Sequence, residues 1–291
     1  FSMDQRDEVY QQQLFTAHER VPGVFVEYTY KPVSHLSVMS GFRYDRHNLY
    51  GSFYTPRFHL RYQMDALTSL RLSAGKGYRV PHLFMDNPSI LASAREVLFQ
   101  EPLEAEEAWN AGVQITRDFS LGPDRPGNVM IDFYRTEFVQ QMVVDLDRNP
   151  QAILLYNLDG RSFSNSGQIE ITATAVKGLD VTVAYRFNDV RMTFADQLKE
   201  LPLNPRHTGV LVLSYTVPDR KWQFDVTTQY NGRTRLPDTA DNPESYRLGG
   251  HSPDYLQLFA QVTRKFKKME LYVGGENLTG QGIPGVKIVF Q

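Results

Sequence analysis

From Phe58 to Met64 the chain reads FHLRYQM, in which apolar Phe58, Leu60, Tyr62 and Met64 are separated by polar His59, Arg61 and Gln63. A β-strand shows alternate residues to opposite faces of its sheet, so this period of two sends the apolar set to one side and the polar set to the other. The same period recurs along nearly the whole chain. A slip of one residue would reverse every side chain of a strand. Its persistence therefore implies one large, two-sided antiparallel surface.

The alternation can be followed from strand to strand. Val24, Val26, Tyr28 and Tyr30 interleave with Phe25, Glu27 and Thr29, and Leu36, Val38, Ser40, Phe42 and Tyr44 with Ser37, Gly41, Arg43 and Asp45. Leu70, Leu72 and Ala74 follow, then Trp109, Ala111, Val113 and Ile115, then Val129, Ile131 and Phe133. Ile169, Ile171, Ala173 and Ala175 lead into Val181, Val183, Tyr185 and Phe187, and Trp222, Phe224, Val226 and Tyr230 come next. The tail adds Leu256 to Val262, Met269 to Val273, and Val286 to Phe290. With a first segment from Met3 to Phe15, the pattern predicts roughly 14 strands.

Two kinds of connection separate them. Short polar turns fall at Lys31–His35, Asp65–Thr68, Val176–Asp180, Val217–Lys221 and Lys267–Lys268, and longer Pro- and Asn-rich stretches at 46–54, 80–104, 195–207 and 236–254. Alternating tight turns and long loops is the plan of bacterial outer-membrane barrels, with turns in the periplasm and loops outside. On that plan the last strand runs from the external side to the periplasm. Within the 80–104 loop, Ile90, Leu91, Ala94 and Leu98 fall near helical spacing and predict a short helix over 89–99.

The same alternation would suit a soluble sandwich whose apolar faces pack together. Three observations favour lipid instead. Several stretches run nine residues or more, near the length that crosses a bilayer at a tilt, whereas soluble strands are shorter. Tyr28, Tyr30, Tyr44, Trp109, Trp222 and Tyr230 sit toward strand ends, where an interfacial girdle is expected. The other face carries Arg43, Arg61, Arg71, Glu170, Arg186 and Asp225, too many charges for a dry core and acceptable for a wet lumen.

Composition agrees: of 291 residues 41% are apolar, yet 16 are Tyr and 18 Phe. The net charge of −2 gives no electrostatic case for a nucleic-acid partner. Without cysteine there are no disulfides or thiolate metal sites. No run is long and apolar enough for a transmembrane helix. The first residues lack a basic start and apolar core, so no signal peptide is visible; they read as a mature terminus or as part of something longer.

Motifs for chemistry are sparse. The seven histidines (18, 35, 47, 59, 82, 207 and 251) have no metal-ligand spacing. Asp145–Pro150 begins like a calcium loop but has Pro150 where Gly is needed and Tyr156 in place of the bidentate Glu. Gly75 and Gly77 in GKGYRV start like a phosphate loop without its third glycine or helix, and read as crowding in a barrel wall. Glu106 and Glu107 read as solvated rim. No nucleophile elbow or triad stands out, so no enzyme is indicated. Ligand contact is best sought where strands leave the membrane. Tyr78, Arg79, His82 and Asp86 lie in GYRVPHLFMDN, and His47, Tyr50, Arg233, Arg235, Tyr246 and Arg247 in other loops. Such groups could hold an anionic ligand or metal chelate by charge-assisted hydrogen bonds.

VPGVFVEYTY, the strand into GKGYRVPHLF, EEAWNAGV, YNLDGRSFSNSGQIEI, LPLNPRHTGVLVLSY and LYVGGENLTG, in this order and spacing over residues 20–280, resemble the C-terminal part of a TonB-dependent outer-membrane receptor of Bacteroidetes type. The resemblance implies part of an up-and-down barrel of about 22 strands whose lumen is closed by an N-terminal plug. It implies import of a ferric siderophore, haem, cobalamin or similar chelate, without catalytic residues or a resident cofactor. The partners it implies are outer-membrane lipid, the small-molecule ligand, a surface lipoprotein, and the TonB complex acting through a plug and TonB box that this chain does not include.

Two departures shape the expectation. The plug and roughly eight leading strands of the family's barrel are not in this chain. After GENLT it closes within GQGIPGVKIVFQ, more like a strand of a carboxypeptidase-regulatory-like domain than the family's last strand. Residues 1–280 are therefore expected to form a receptor barrel portion in the outer membrane, and 281–291 an atypical terminal strand. The alternatives are a self-contained 14-strand passive porin and, behind it, a soluble β-rich binding module.

Overall fold

The computed structural model describes residues 2–10, 13–82, 86–87, 93–219, 221–280 and 285–290, and within these the side chains of 18–280. In chain order the strands are β1 (Ser2–Tyr10), β2 (Gln13–Val21), β3 (Gly23–Val33), β4 (Leu36–His47), β5 (Gly51–Gln63), β6 (Thr68–Arg79) and β7 (Glu96–Phe99). Next come β8 (Glu106–Ser120), β9 (Pro126–Gln140), β10 (Met142–Asp145), β11 (Ala152–Asn157), β12 (Ser162–Val176), β13 (Leu179–Phe194) and β14 (Gln197–Glu200). The last five are β15 (His207–Thr216), β16 (Trp222–Asn231), β17 (Tyr255–Lys265), β18 (Glu270–Glu276) and β19 (Gly285–Phe290).

A 14-stranded sheet dominates, running β19-β18-β17-β16-β15-β13-β12-β9-β8-β6-β5-β4-β3, with β14 added beside β13. The thirteen strands of its main path are close to the roughly 14 read from the alternation, but the first expected segment, Met3–Phe15, is divided between β1 and β2, which pair with each other in a separate sheet. The sheet is open: β3 lies at one edge and β19 at the other, so among the described residues these strands do not close on one another. That geometry is a barrel wall and speaks against a self-contained 14-strand porin.

Two adjacent rows of the register show why the alternation was so regular. Leu36, Tyr62, Leu70, Ile115, Ile131, Ile169, Tyr185, Gly209, Tyr230 and Leu256 lie opposite one another on successive strands. One residue along each strand, on the other face, the row is Ser37, Arg61, Arg71, Gln114, Asp132, Gln168, Arg186, Thr208, Asn231 and Tyr255. One is almost wholly apolar or aromatic and the other almost wholly polar. Among the described residues nothing covers the apolar face: Ile131 is 49% exposed and Phe133 47%.

Six short connections lie at one end of the sheet: 34–35, 64–67, 121–125, 177–178, the one from β15 to β16, and 266–269. The turn at 121–125 was not among those expected. In the turn before β6, Asp65 Oδ1 accepts the backbone N–H of Leu67 and of Thr68, each at 2.7 Å, and the Leu67 bond above all holds its carboxyl below the usual carboxylate range. Connections at the other end are mostly long, with one correction. The 46–54 segment is no long loop, because β4 and β5 continue through it and leave only 48–50 between them. There Asn48 takes up β2 through Arg20 N–H to Oδ1 and Nδ2–H to the His18 carbonyl, both 2.8 Å.

The dry core sits among the loops rather than in the sheet. β10, β11 and β7 form a three-stranded sheet in which β11 and β7 run parallel. On one side Met142, Ile153 and Leu155 pack with Val97 and Leu103. On the other, Val143 meets Met192 and Phe194 of β13. The helix expected over 89–99 is corrected here: Glu96–Phe99 is strand, because the β11 backbone offers a ladder that outweighs a local helical spacing. Residues 89–92 lie outside the described residues.

Candidate functional site

Two surfaces have the chemistry to meet a ligand: the polar wall and the loop end above it. On the wall, β5 places Arg57, His59 and Arg61 at alternate positions of the polar face, and Arg71 of β6 lies opposite Arg61. Like charges directly across a ladder are unfavourable. Among the described residues the only side-chain relief is Gln114, whose Oε1 accepts from Arg71 Nη1 at 3.4 Å, while the Arg61 side chain has no hydrogen bond or ion pair. A groove of about 330 Å3 runs over this stretch, lined by Ser37, His59, Arg61, Arg71, Gln114 and Tyr134 among others. Such a wall suits an anionic group.

At the loop end, seven of the ten residues picked from sequence fall into three groups, while Arg233, Tyr246 and Arg247 stay exposed in the 232–254 loop. In the first, Arg79 Nε donates to Glu106 Oε2 at 2.7 Å and its Nη1 lies 3.7 Å from Asp86. Asp86 accepts the His82 backbone N–H at 2.9 Å, and the buried His82 Nδ1 has no hydrogen-bond partner among the described residues. Tyr78 stacks on Phe53 at 3.9 Å. Residues 83–85 lie outside the described residues.

His47 and Tyr50 form the second group, in edge contact at 5.1 Å. His47 Nδ1 accepts the Leu49 N–H at 3.1 Å, and its buried Nε2 lies 3.5 Å from Glu19. Arg235 stands apart as the third. Its Nε donates to the Glu200 carbonyl at 2.6 Å and its Nη1 to Asp147 at 2.9 Å. Its guanidinium also lies over the Phe194 ring at 5.7 Å. This arginine joins three loops and is only 15% exposed, so its geometry is that of a clasp rather than of an open ligand contact.

Glu106 corrects the sequence reading. It was expected on a solvated rim, yet it is 5% exposed. One oxygen takes Arg79 and the other the Met142 N–H at 3.2 Å, tying β6 and β8 to β10. Glu107 does lie at the rim and pairs with Lys76. Asp145, in the stretch that opens like a calcium loop, holds its own turn by accepting the N–H of Asp147 and Arg148 and the Tyr156 hydroxyl. Burial above all, with the Asp145 carboxylate next, pushes the Tyr156 phenol up to about 12. The glycines of GKGYRV differ. A Cβ on Gly75 would sit 3.0 Å from the Pro56 carbonyl, whereas one on Gly77 would meet nothing within 4 Å. Sequence reasoning missed Glu106, Asp147 and the 141–161 loop because their partners are distant in the chain.

An open antiparallel wall, apolar outside and polar inside, with turns at one end and packed loops at the other, is what a piece of a large outer-membrane barrel must look like. The β-barrel model of TonB-dependent receptors matches residues 4–278. The chain belongs to the TonB-dependent receptor β-barrel family.

As a member of that family it forms part of an outer-membrane β-barrel of Gram-negative bacteria, and the family is one of transport proteins rather than enzymes. Similar solved structures include the siderophore receptor PirA of Acinetobacter baumannii, at 15% identity and TM-score 0.70, covering 91% of this chain and 42% of that one. A mutant of the ferric enterobactin receptor PfeA of Pseudomonas aeruginosa gives 15% identity and TM-score 0.67, covering 92% and 40%. The siderophore receptor PiuA of Acinetobacter baumannii gives 13% and 0.62, covering 96% and 43%. At these identities the likeness is one of fold. The chain spans about two fifths of the length of these receptors. Comparison with curated protein sequences returns no significant match.

Proposed function

We propose that this TonB-dependent receptor barrel portion serves active import of an anionic metal chelate, of which a ferric siderophore is the first choice and haem or cobalamin the others. The observation that carries the reading is the polar wall, where Arg61 and Arg71 face each other across β5 and β6 with Gln114 as the one hydrogen-bond partner in contact. Cationic groups left short of counter-charge favour an anion entering the lumen. At the loop end, Tyr78, Arg79, His82 and Asp86, with His47 and Tyr50 beyond Phe53, are proposed to make the first contacts, and Arg235 to keep the loops above them in place. The names of PirA, PiuA and PfeA support the siderophore class.

Energy would reach the barrel through TonB and a plug supplied by the longer receptor, and a surface lipoprotein is a further proposed partner. Residues 281–291 are kept as an atypical terminal strand, a reading supported by the family match ending at residue 278. Growth of a strain deleted for the gene, on ferric siderophores, haem or cobalamin as sole source, tests the proposal. Loss of growth on one of them, restored by the wild-type gene and not in a TonB-deficient background, is expected. Unchanged growth on all of them would sink it.

A further inference from the structure

At the loop end of β4, Asp45 and His47 stand two residues apart on the polar face of the wall, and both are buried. The His47 ring meets different neighbours at its two nitrogens. Nδ1 accepts the backbone N–H of Leu49 at 3.1 Å and of Tyr50 at 3.4 Å, and so closes the 48–50 connection. A ring nitrogen that accepts carries no proton, so the neutral imidazole holds its proton on Nε2. Nε2 is buried without a hydrogen-bond partner among the described residues, and lies 3.5 Å from Glu19 Oε2. Glu19 belongs to β2, which meets β4 through Arg46 N–H to the Pro22 carbonyl at 2.9 Å and Asn48 N–H to the Arg20 carbonyl at 3.2 Å.

One proton changes both sides of this ring. An imidazolium donates from both nitrogens and accepts at neither. Protonated His47 therefore loses the Leu49 and Tyr50 bonds. Its contact with Glu19 becomes an ion pair, and burial leaves that attraction little screened. The other groups around it are few. On β4 itself Arg43 Nε pairs with Asp45 Oδ2 at 2.6 Å, while the buried Asp45 Oδ1 has no hydrogen-bond partner among the described residues. The connection brings Tyr50 in edge contact, β6 brings Tyr78 against Asp45, and β3 places uncharged Gly23 opposite Asp45. Two carboxylates against one guanidinium leave room for one more positive charge.

We propose that His47 is a proton-operated switch of the 48–50 connection: neutral, it holds that connection, and protonated, it releases it and holds Glu19 of β2 instead. The connection carries Tyr50, one of the proposed first ligand contacts, so acid would slacken the mouth of the site. That consequence rests on the import proposal; the hand-over between Nδ1 and Nε2 does not.

The test compares the full-length receptor, in detergent and free of ligand, at about pH 8 and about pH 5.5, across the range in which histidine changes charge. Hydrogen exchange resolved to single amides, corrected for the intrinsic pH dependence of exchange, is the readout. On acidification, protection of the Leu49 and Tyr50 amides should fall about fivefold, the worth of one ordinary hydrogen bond. Protection of the Arg46 and Asn48 amides, which bond β2, should rise about twofold, as a modest ion pair gives. H47Q, whose amide accepts and donates but does not titrate, should abolish both changes. E19Q should keep the fall and lose the rise. Heat-modifiable gel mobility confirms that each variant is folded, and E19Q decides the test if H47Q does not assemble. Protection that moves the same way in both segments, or no fall at Leu49 and Tyr50, would overturn the proposal. So would an H47Q receptor that keeps the pH response or an E19Q receptor that keeps the rise. Import itself is read separately, by the growth test.

Discussion

Arg235 and Asp147 are 88 residues apart in the chain and 2.9 Å apart in the fold. Asp147 holds the guanidinium with one oxygen and with the other accepts the Asp238 N–H at 2.9 Å. The 141–161 loop is thereby fastened to the 232–254 loop, while the Glu200 carbonyl brings in the third. A ligand-facing loop cluster above a rigid wall needs such a fastening, since loops otherwise open at low free-energy cost.

Removing one partner of a largely buried ion pair leaves the other unsatisfied, at about 3–5 kcal/mol for a fully buried case. D147A should therefore speed amide exchange in 195–206 and 232–254 without altering exchange in β5 and β6. Hydrogen exchange of the detergent-solubilised receptor checks this. A D147A/R235A double variant should be no worse than the worse single one; full additivity would argue against a direct pairing.

The glycines of β6 make an internally controlled pair. G75A forces a methyl against the Pro56 carbonyl and should destabilise the barrel by about 1–3 kcal/mol. G77A, with open space, should be neutral or stabilise by about 0.4–1 kcal/mol. Urea unfolding in lipid vesicles measures both, and equal effects would contradict the packing described.

Sidedness predicts opposite outcomes for the same new charge. I169R puts a guanidinium on the lipid face near mid-band, at a cost of about 2–4 kcal/mol, and should reduce the amount of assembled receptor in the outer membrane. T227R, on the inner face in a groove shared with Asp225, should assemble as wild type. Quantitative blotting of outer-membrane fractions separates them.

Tyr156 gives a pH dependence with a defined sign. Its folded pKa, pushed up to about 12, lies above the unfolded value of about 10. The fold therefore favours the neutral phenol. That contribution is fully present below about pH 10 and is lost as pH rises through about 12. Ultraviolet difference titration of wild type against Y156F should assign one late-ionising phenol to this position; a difference spectrum centred near pH 10 would contradict it.

The period of two seen in FHLRYQM determined most strands of the wall, the two faces and the membrane reading, because a side chain's face follows from its own position in a strand and needs no partner. It also marked Arg61 and Arg71 as wall residues. What it could not determine was who stands opposite whom. That Arg61 faces Arg71, that Glu106 is buried against Arg79 and that Arg235 reaches Asp147 are matters of register and loop packing. Those depend on pairings between residues tens of positions apart, and only the tertiary structure decided them. The expected helix at 89–99 failed for the same reason: a helical spacing is local, and the β11 backbone that makes Glu96–Phe99 a strand is not.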